Sequence, residues 1–300
     1  MSKPIFQTIV DERDYSATLS NICEQLEKYL KDNHINTMVL GISGGIDSTV
    51  VAAIANLIVQ QNPSMRLIGL SLPSSTNEGN ENLAAKEVID NFCDFELSEI
   101  SYINNEFEEI TQHLDVYNRS GLTDGNIKAR IRMIHLYDKA SKYGGIVLDT
   151  DNLSEHFLGF WTLHGDVGDY SPIGMLWKDE VYGLAEHLMN CPYFTKEQIK
   201  AIKDSYNLTP TDGNGVKEGG DMGQIAPGLT YFDVSKILRY IVGANKLGNF
   251  DEDTYYKYFG KYYSMENLIK ILQRYKRFDF KRKHLPLRVT NDINHELYFN

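Results

Sequence analysis

The 300-residue chain is poor in cysteine and has no long apolar stretch, and both shortages exclude whole classes of protein. Its three cysteines, Cys23, Cys93 and Cys191, are too few and too widely spaced for a disulfide framework or a cysteine-based metal site, and they indicate a reducing compartment. No apolar run approaches the roughly 20 residues that cross a bilayer. The start of the chain, Met1–Pro4, lacks the apolar core of a signal peptide. We therefore expect a cytoplasmic protein that has no membrane partner.

The chain also lacks an excess of positive charge, internal repeats and low-complexity tracts. A net charge of −11 argues against a nucleic-acid surface over the whole molecule, so no nucleic-acid partner is expected. Basic residues concentrate only near the end of the chain, at Arg274, Lys276, Arg277, Lys281, Arg282, Lys283 and Arg288. This cluster fits a local anion site or the solvated end of a helix, and the sequence favours neither.

The chain does contain alternating helix and strand patterns in the composition of an ordinary globular protein. Hydrophobic periodicity predicts helices over 15–31, after Asp47, over 81–92 and over 126–142, and strands over 37–40, 66–72, 95–100 and 146–148. In the helix over 81–92 it predicts that Leu83, Ala84, Val88 and Ile89 face inward. Such alternation predicts an α/β fold, a doubly wound parallel sheet with helices on both faces. We expect residues 1–300 to form a single domain, with a mobile loop over 204–225 and a C-terminal helical and basic segment over 250–300.

A glycine-rich loop, L-G-I-S-G-G-I-D-S-T at residues 40–49, joins the first predicted strand to the next helix. Adjacent glycines let the backbone approach a ligand closely, and the following helix start offers unpaired N–H groups and a positive dipole end. The hydroxyls of Ser43, Ser48 and Thr49 add donors, so the loop suits phosphate. Asp47 would be repelled by bare phosphate, which indicates a bridging cation. A tight turn with helix-capping side chains is the alternative, but it would explain any two of these residues and does not need all six.

A second informative block is G-N-I-K-A-R-I-R-M, at residues 125–133. Its spacing predicts that Ile127, Ile131 and Ile134 face the core, while Lys128, Arg130 and Arg132 lie on other faces near the helix start. Cations are unfavourable at the positive end of a helix, so these three indicate an anionic ligand or carboxylate partners. Taken alone, the block is better described as an amphipathic helix with basic side chains on its surface.

These blocks gain meaning from their order. The loop lacks the G-x-x-x-x-G-K-[ST] spacing of a Walker A motif. S-G-G-I-D-S at 43–48 instead resembles the pyrophosphate loop of the N-type ATP pyrophosphatases, which adenylylate a substrate and release pyrophosphate. After block 125–133 come T-D-N-L-S-E at 150–155, G-D-V-G-D at 165–169, and a proline with a lysine six residues later at 172–178. Together the five blocks resemble the ammonia-dependent NAD synthetase family over about residues 15–190.

The resemblance implies a fold, an assembly and substrates. Members of the family have an adenine-nucleotide alpha-hydrolase-like fold and are homodimers whose deamido-NAD site lies across the dimer interface. Their substrates are ATP, deamido-NAD and ammonia, and they require Mg²⁺. The predicted helix 15–31 is one candidate for the dimer interface, although its apolar face could equally belong to the core.

The resemblance also implies roles for individual residues. The ATP phosphates would be cradled by Gly41, Ile42, Ser43, Gly44, Gly45, Ile46, Asp47 and Ser48, and ATP would further contact Thr150, Lys178 and Thr211. Asp47 and Glu155 would bind magnesium and, with Lys178, form the candidate catalytic set. Deamido-NAD would be held by Arg130, Asp169 and Lys281. Taken singly, Glu155 could be only a helix-start carboxylate and Thr150 only an N-cap.

The chain departs from the family pattern where the second substrate is expected. Leu163 stands where the family has lysine, Phe280 where it has histidine, and Ser71 where it often has arginine. One residue is missing before Pro172, so Asp169 is placed by its spacing to that proline. The ATP half of the pattern is therefore intact, whereas the contacts to the acceptor have changed.

The expected reaction is the amidation of deamido-NAD to NAD by ammonia, through an acyl-adenylate, with release of AMP and pyrophosphate. Free ammonia is expected because 300 residues leave no room for a glutaminase domain, and no Ser or Cys nucleophile is expected. Two alternatives stay open: an amide ligase of the same superfamily that acts on a different carboxylate, and a non-catalytic nucleotide sensor. Retention of Asp47, Glu155 and Lys178 argues against the sensor, since binding alone could dispense with one of them.

Overall fold

A parallel β-sheet forms the centre of the molecule. The computed structural model describes residues 13–75, 77, 79–114, 119–210 and 220–283, except for the side chains at 220, 221 and 224. Its strands are β1 (Thr37–Gly41), β2 (Arg66–Ser71), β3 (Glu99–Ile100) and β4 (Ile146–Leu148), and they lie in the order β3-β2-β1-β4. The chain thus builds outward from β1 to β3 and then adds β4 on the other side of β1. This reversal leaves a crevice at the carboxyl ends of β1 and β4, where ligands bind in such sheets.

Helices connect and cover the strands. They are α1 (Tyr15–Asp32), α2 (Ile46–Gln61), α3 (Gly79–Phe92), α4 (Asn104–Gln112), α5 (Gly121–Tyr143), α6 (Leu153–Leu158), α7 (Lys178–Met189), α8 (Lys196–Tyr206), α9 (Gly220–Ile225), α10 (Tyr231–Lys246), α11 (Glu252–Phe259) and α12 (Met265–Arg277), followed by a 3₁₀ helix (Asp279–Arg282). The predicted elements 15–31, 37–40, 66–72 and 146–148 agree with α1, β1, β2 and β4 to within one residue.

Side chains alternate between the two faces of the sheet, so each strand contributes to two cores. Met38 and Leu40 of β1 lie in a core filled from α1, α2, α3, α7 and α8. Val39 of β1 and Val147 of β4 lie in a second core that α5 covers. The predicted α/β fold with helices on both faces is therefore confirmed. The buried side chains of α1, Leu19 among them, belong to the first core, so its apolar face is largely intramolecular.

The C-terminal helices form a third core beside the sheet. Helices α9 to α12 pack together and enclose Leu158 at the end of α6 and Trp177 just before α7. Of the predicted segment 250–300, residues 252–259, 265–277 and 279–282 are helical, and 284–300 lie outside the described residues. Of the predicted loop 204–225, residues 204–206 complete α8 and 220–225 form α9, while 211–219 lie outside the described residues.

Helix α5 begins five residues earlier than the predicted start at 126. Ser120 caps it, because the Ser120 side chain accepts from the N–H of Thr123 and the Thr123 side chain accepts from the N–H of Ser120. The basic residues of block 125–133 therefore lie in its third and fourth turns, and the helix-dipole argument for them is wrong. Ile134 is 64% exposed rather than inward, because it lies opposite the stripe that contains Ala129 and Leu136.

Two further predictions fail for local reasons. Of the predicted strand 95–100, only β3 is extended. The Asp94 carboxylate accepts hydrogen bonds from the N–H groups of Glu96 and Leu97, and these contacts fold the start of the segment into a turn. Leu83 of α3 was expected to face inward and is 66% exposed. It lies on the side of α3 opposite the buried stripe that includes Val88.

Gly44→Ala should destabilise the protein more than Gly228→Ala, although both glycines have a left-handed φ, +87° and +83°. A Cβ at Gly44 would lie 2.2 Å from the carbonyl oxygen of Glu81, whereas a Cβ at Gly228 meets no described atom within 4 Å. The conformation alone should cost about 1–2 kcal/mol in each variant. Because α3 must also shift in Gly44→Ala, we expect its free energy of unfolding to fall by at least about 2 kcal/mol more. Urea unfolding measures the free energy of unfolding of both variants, and an equal loss in the two would contradict this account.

Candidate active site

A large cavity opens at the crevice between β1 and β4. Its volume is about 780 Å³, within the usual range for a small-molecule site. The loop after β1 forms one wall, and residues 150–151, which follow β4, form the next. Helix α5 and the end of α12 contribute the remaining walls through Arg130 and Arg274. The cavity therefore brings together the segments in which the sequence predicted a site.

The loop after β1 is shaped to leave helix N–H groups free. Gly44 turns the chain with a left-handed φ, and Gly45 then caps α2 without a side-chain hydrogen bond to its first turn. The hydroxyl oxygens of Ser43 and Ser48 lie 3.2 Å apart, and Ser43 Oγ accepts from the Gly45 N–H at 3.2 Å. Since no capping side chain satisfies the start of α2, its N–H groups remain available to an anion such as phosphate.

The Lys178 ammonium lies between two carboxylates beside this loop. Lys178 Nζ donates to Asp47 at the start of α2, and to Glu155 Oε1 in α6 at 3.2 Å. The lysine side chain is only 2% exposed, and the two carboxylates are 15% and 13% exposed. Burial by itself would lower the pKa of Lys178, but the two nearby negative charges outweigh it and raise the pKa above its usual value. Lys178 therefore remains protonated in the site.

Asn152 fixes the two carboxylates relative to each other. Its side chain donates to Asp47 Oδ1 at 3.0 Å and accepts from the N–H groups of Ser154 and Glu155. Glu155 Oε2 accepts in turn from the N–H of Asn152 at 3.1 Å, which completes a capping box at the start of α6. Glu155 is thus a helix-start carboxylate and also a partner of Lys178. The N-cap of α6 is Asn152, not Thr150, and Thr150 lines the cavity.

Asp47 and Glu155 are suited to a hard cation that is completed by other ligands. Both carboxylates already contact one positive charge, that of Lys178, so their oxygens converge on a common region. Mg²⁺ commonly takes one or two protein carboxylates and fills its remaining positions with water and phosphate oxygens. The described residues contain no group of three or more His, Cys, Asp or Glu side chains that could hold a metal alone. The residues present therefore fit a magnesium ion bound together with phosphates.

Three more aspartates make this end of the cavity strongly acidic. Burial raises the pKa of Asp149, and it raises that of Asp151 well above the usual value, with help from the charges of Asp149 and Asp166. Burial also raises the pKa of Asp166 to about 6. Asp151 and Asp166 line the cavity. This part of the site favours cations and protons over further negative charge.

At the end of the cavity where the sequence predicts the acceptor, called the acceptor end, the basic side chains are held largely by backbone carbonyls. Arg130 donates to the carbonyl of Leu163 at 2.8 Å and to that of Asn126 at 3.0 Å. Lys281 donates to the carbonyls of Gly159, at 2.8 Å, and Trp161. Arg130, Lys281 and Leu163 all line the cavity. This end of the cavity therefore keeps the two cations of Arg130 and Lys281, although Leu163 does not supply the positive charge of the family's lysine.

Two predicted site residues that the structure describes, Gly44 and Asp169, do not line the cavity. Asp169 accepts from the Tyr137 hydroxyl at 2.9 Å and from the N–H of Val147 at 2.9 Å, so its carboxylate secures the edge of β4. Thr211 lies outside the described residues. The predicted role of Asp169 in holding substrate stays a prediction, and the structure gives its carboxylate other partners.

The structure adds cavity residues to which the family resemblance had assigned no ligand. Arg132, half-buried in α5, donates to the Leu72 carbonyl at 2.9 Å and lines the cavity. Asp166, Trp161 and Phe278 line it as well. Arg132 and Asp166 belong to blocks that were recognised, so the signal was present. Which member of each block faces the cavity depends on contacts that sequence spacing does not reveal.

Comparison with known proteins agrees with this geometry. A family model described as NAD synthase matches residues 18–285. The chain belongs to the NAD synthase family. The NH(3)-dependent NAD(+) synthetase of Campylobacter jejuni subsp. doylei is 31% identical over 189 residues, which cover 63% of this chain and 74% of the relative. Like its curated relatives, this member of the NAD synthase family is an enzyme of the NAD synthetase type.

Solved structures share the fold. The NMN synthetase from Francisella tularensis superposes with a TM-score of 0.69 at 24% identity, over 94% of this chain and all of that one. The NH3-dependent NAD synthetase from Campylobacter jejuni, solved with a nitrate ion, gives a TM-score of 0.65 at 22% identity, over 92% of this chain and all of that one. These likenesses confirm the predicted adenine-nucleotide alpha-hydrolase-like fold.

The sequence predicts neither a disulfide framework nor a membrane-spanning segment. Cys23, Cys93 and Cys191 are free thiols. Among the helices of the described ranges, none combines the length and apolar character that a bilayer crossing needs.

Asp166→Asn should remove part of the pH dependence of stability. The carboxyl titrates near 3.9 when unfolded and near 6 when folded, so the folded protein binds the extra proton between these values. Stability should therefore fall as pH rises from about 4 to 6, and the loss should be complete above 6. We expect the variant to be more stable than wild type at pH 7, by a margin that vanishes near pH 4. Urea unfolding across this range measures the margin, and a constant one would contradict the assignment.

Proposed function

We propose that this enzyme converts deamido-NAD to NAD, with ATP and ammonia as its other substrates. The observation that carries the proposal is the Lys178 ammonium between Asp47 and Glu155, beside a glycine loop whose helix start is uncapped. Backbone N–H groups, one ammonium and two carboxylates are the groups that a triphosphate and its metal ion require. The NAD synthase family supplies the reaction class to which these groups are assigned.

In the proposed reaction a nicotinate carboxylate oxygen attacks the α-phosphorus of ATP. The bond between the α-phosphorus and its bridging oxygen breaks, and pyrophosphate leaves. Ammonia then attacks the carbonyl carbon of the acyl-adenylate and loses a proton, and AMP leaves with the former carboxylate oxygen. Lys178 would bind the phosphate chain and stabilise the charge that grows on pyrophosphate. A magnesium ion at Asp47 and Glu155 would supply further positive charge to the phosphates.

The acidic end of the cavity supports the proposal for ammonia. At neutral pH ammonia is mostly present as ammonium, which a cluster of buried carboxylates attracts. Asp166, whose pKa lies near 6, is poised to accept a proton at that pH. Its position on the cavity wall places it within the same space as the phosphate loop.

The departures from the family pattern bear on the choice of acceptor. Arg130 and Lys281 offer two cations to an anionic acceptor, while Leu163 offers none. A second candidate acceptor is nicotinate mononucleotide, the deamido form of NMN. It is favoured by the uncharged Leu163, because a mononucleotide has fewer phosphates to be held. The Francisella tularensis structure that shares this fold is named an NMN synthetase.

A nucleotide sensor without catalysis fits the site less well. Such a protein needs the N–H groups of the glycine loop, but it does not need a lysine buried at 2% exposure between two carboxylates. Burying three charged groups is costly unless their arrangement is used. An amide ligase for another carboxylate shares all of these groups, so only the choice of acceptor separates it from the first proposal.

We further propose a cytoplasmic homodimer, as the family resemblance implies. The three free thiols agree with a reducing compartment. Since the apolar residues of α1 are used in the core, the exposed Ile134 of α5 is a better contributor to an interface than α1.

Asp47→Asn should abolish pyrophosphate release while leaving the fold intact. The amide removes one of two negative charges that would hold magnesium, and it weakens the charged contact with Lys178. We expect a loss of at least about a hundredfold in rate. Release of pyrophosphate from ATP, with ammonium and deamido-NAD present, is the measurement. Asp90→Asn, on the exposed side of α3, is the matched control and should keep full activity. Pyrophosphate release by Asp47→Asn at a rate near that of wild type, at any magnesium concentration, would refute the assignment.

Leu163→Lys should lower the Michaelis constant for deamido-NAD severalfold. The new ammonium would restore a charge-assisted hydrogen bond, worth roughly 1.5–3 kcal/mol when well placed. The contact from Arg130 goes to the Leu163 carbonyl and so survives the change. Leu163→Met, which adds no charge, is the control. Steady-state kinetics with deamido-NAD and nicotinate mononucleotide in parallel measure the effect. If wild type uses only the mononucleotide, the second candidate replaces the first, and if it uses neither, both are wrong.

A further inference from the structure

One face of α10 is directed at the start of α7, where Lys178 lies. Tyr231, Ser235 and Arg239 recur every four residues and therefore share a face of the helix. They are 6%, 0% and 8% exposed. Helix α10 belongs to the third core and contributes nothing to the sheet, so its contacts with α7 join that core to the active site.

The first two residues of this face contact Lys178 from two directions. The Tyr231 ring centre lies 5.0 Å from Lys178 Nζ, a cation–π distance. Ser235 Oγ lies 2.9 Å from Ser154 Oγ, which accepts from the backbone N–H of Lys178 at 3.0 Å. The side chain and the backbone of the lysine are thus both supported from α10.

Arg239 holds the residues on either side of the lysine. Its guanidinium donates two hydrogen bonds to the Asp179 carboxylate, at 2.7 and 2.9 Å, and lies 3.3 Å from Glu180 Oε1. The same guanidinium stacks 5.1 Å from the centre of the Trp177 ring. Glu180 Oε2 accepts from the N–H of Trp177 at 3.0 Å, which closes the first turn of α7 around Lys178.

This buried ion pair is better explained by positioning than by stability. The side chains of Arg239, Asp179 and Glu180 are 7%, 3% and 1% exposed, and Arg239 Nε has no partner among the described residues. Well-packed apolar side chains are often as stabilising as a buried ion pair, because desolvation of the charges is costly. A two-pronged guanidinium–carboxylate contact, however, fixes direction and distance in a way that apolar packing does not.

Position matters here because the lysine must meet partners from two other helices. Lys178 Nζ contacts Asp47 of α2 and Glu155 of α6, so a small shift of the α7 start would break both contacts. Misplacement of a reacting group by about 1 Å can cost a hundredfold in rate. We propose that Arg239 is a positioning residue, which sets the place of Lys178 by holding Trp177, Asp179 and Glu180. The expected effect of Arg239 on the reaction rate rests on the proposed function, whereas its expected effect on the place of Lys178 does not.

Arg239→Met is the test, with Tyr255→Phe as a matched control. Tyr255 donates to the Leu268 carbonyl at 3.0 Å in the same third core, so its variant loses a buried polar contact that does not involve α7. For Arg239→Met we expect kcat for pyrophosphate release to fall about tenfold to a hundredfold, with the acceptor KM within about twofold. The control should lower the melting temperature but keep kcat. An unchanged kcat in Arg239→Met, or an equal loss in the control, would overturn the proposal.

A second readout is independent of activity. Amine acetylation followed by peptide mass spectrometry gives the labelling rate of Lys178, which should rise at least about fivefold in Arg239→Met as the α7 start loosens. Buried Lys128 of α5 is the internal reference and should not change. If Arg239→Met does not fold, Arg239→Lys keeps one charge without the two-pronged contact, and smaller changes in the same direction are expected. Unchanged labelling overturns the inference, whereas a wild type without activity on any acceptor overturns only the proposed function.

Discussion

The structure depends on the buried contact of one ammonium with two carboxylates. Lys178 meets Asp47 across 131 positions of sequence and Glu155 across 23, so three helices of different origin must meet at one point. Leaving any one of these charges buried without its partners would cost about 3–5 kcal/mol. The contact is therefore formed only when the loop after β1, the start of α6 and the start of α7 are all in place.

The two ends of the cavity are built on different principles. At the phosphate end, charged side chains hold one another directly, and each has a partner that fixes its orientation. At the acceptor end, Arg130 and Lys281 are held by backbone carbonyls. A carbonyl contact does not depend on the side chain of the residue that supplies it, so side chains such as Leu163 can change without loss of the cations. This difference explains how the residues that the family resemblance assigns to ATP can be unchanged while some of those assigned to the acceptor have changed.

The sequence predicts the parts of the fold whose signals are local. The first strand, the glycine loop and α2 follow from a short apolar run, two glycines and a helix pattern, and the strand order then puts the predicted loops at one edge. The start of α5 was missed because its signal is a cap formed by Ser120 and Thr123, outside the hydrophobic pattern. Leu83 and Ile134 were misplaced because periodicity gives the width of an apolar stripe but not which side meets the core.

The candidate site was predicted only in part, for a related reason. The roles of Asp47, Glu155 and Lys178 came from resemblance, and the structure brings these residues into contact. The contribution of α10 has no sequence signal, because Arg239 and Asp179 are 60 residues apart and neither belongs to a motif. Within G-D-V-G-D the sequence could not separate Asp166, which faces the cavity, from Asp169, which bonds to Tyr137 and Val147.

The central claim is that a carboxylate of the acceptor is adenylylated before ammonia attacks it. The most direct measurement uses deamido-NAD with ¹⁸O in the nicotinate carboxylate, together with ATP, magnesium and ammonium, and analyses the products by mass spectrometry. The account predicts that one ¹⁸O atom appears in AMP for each amide formed, and none in pyrophosphate. Unlabelled AMP, or label in a phosphate product that contains the γ-phosphorus of ATP, would contradict it.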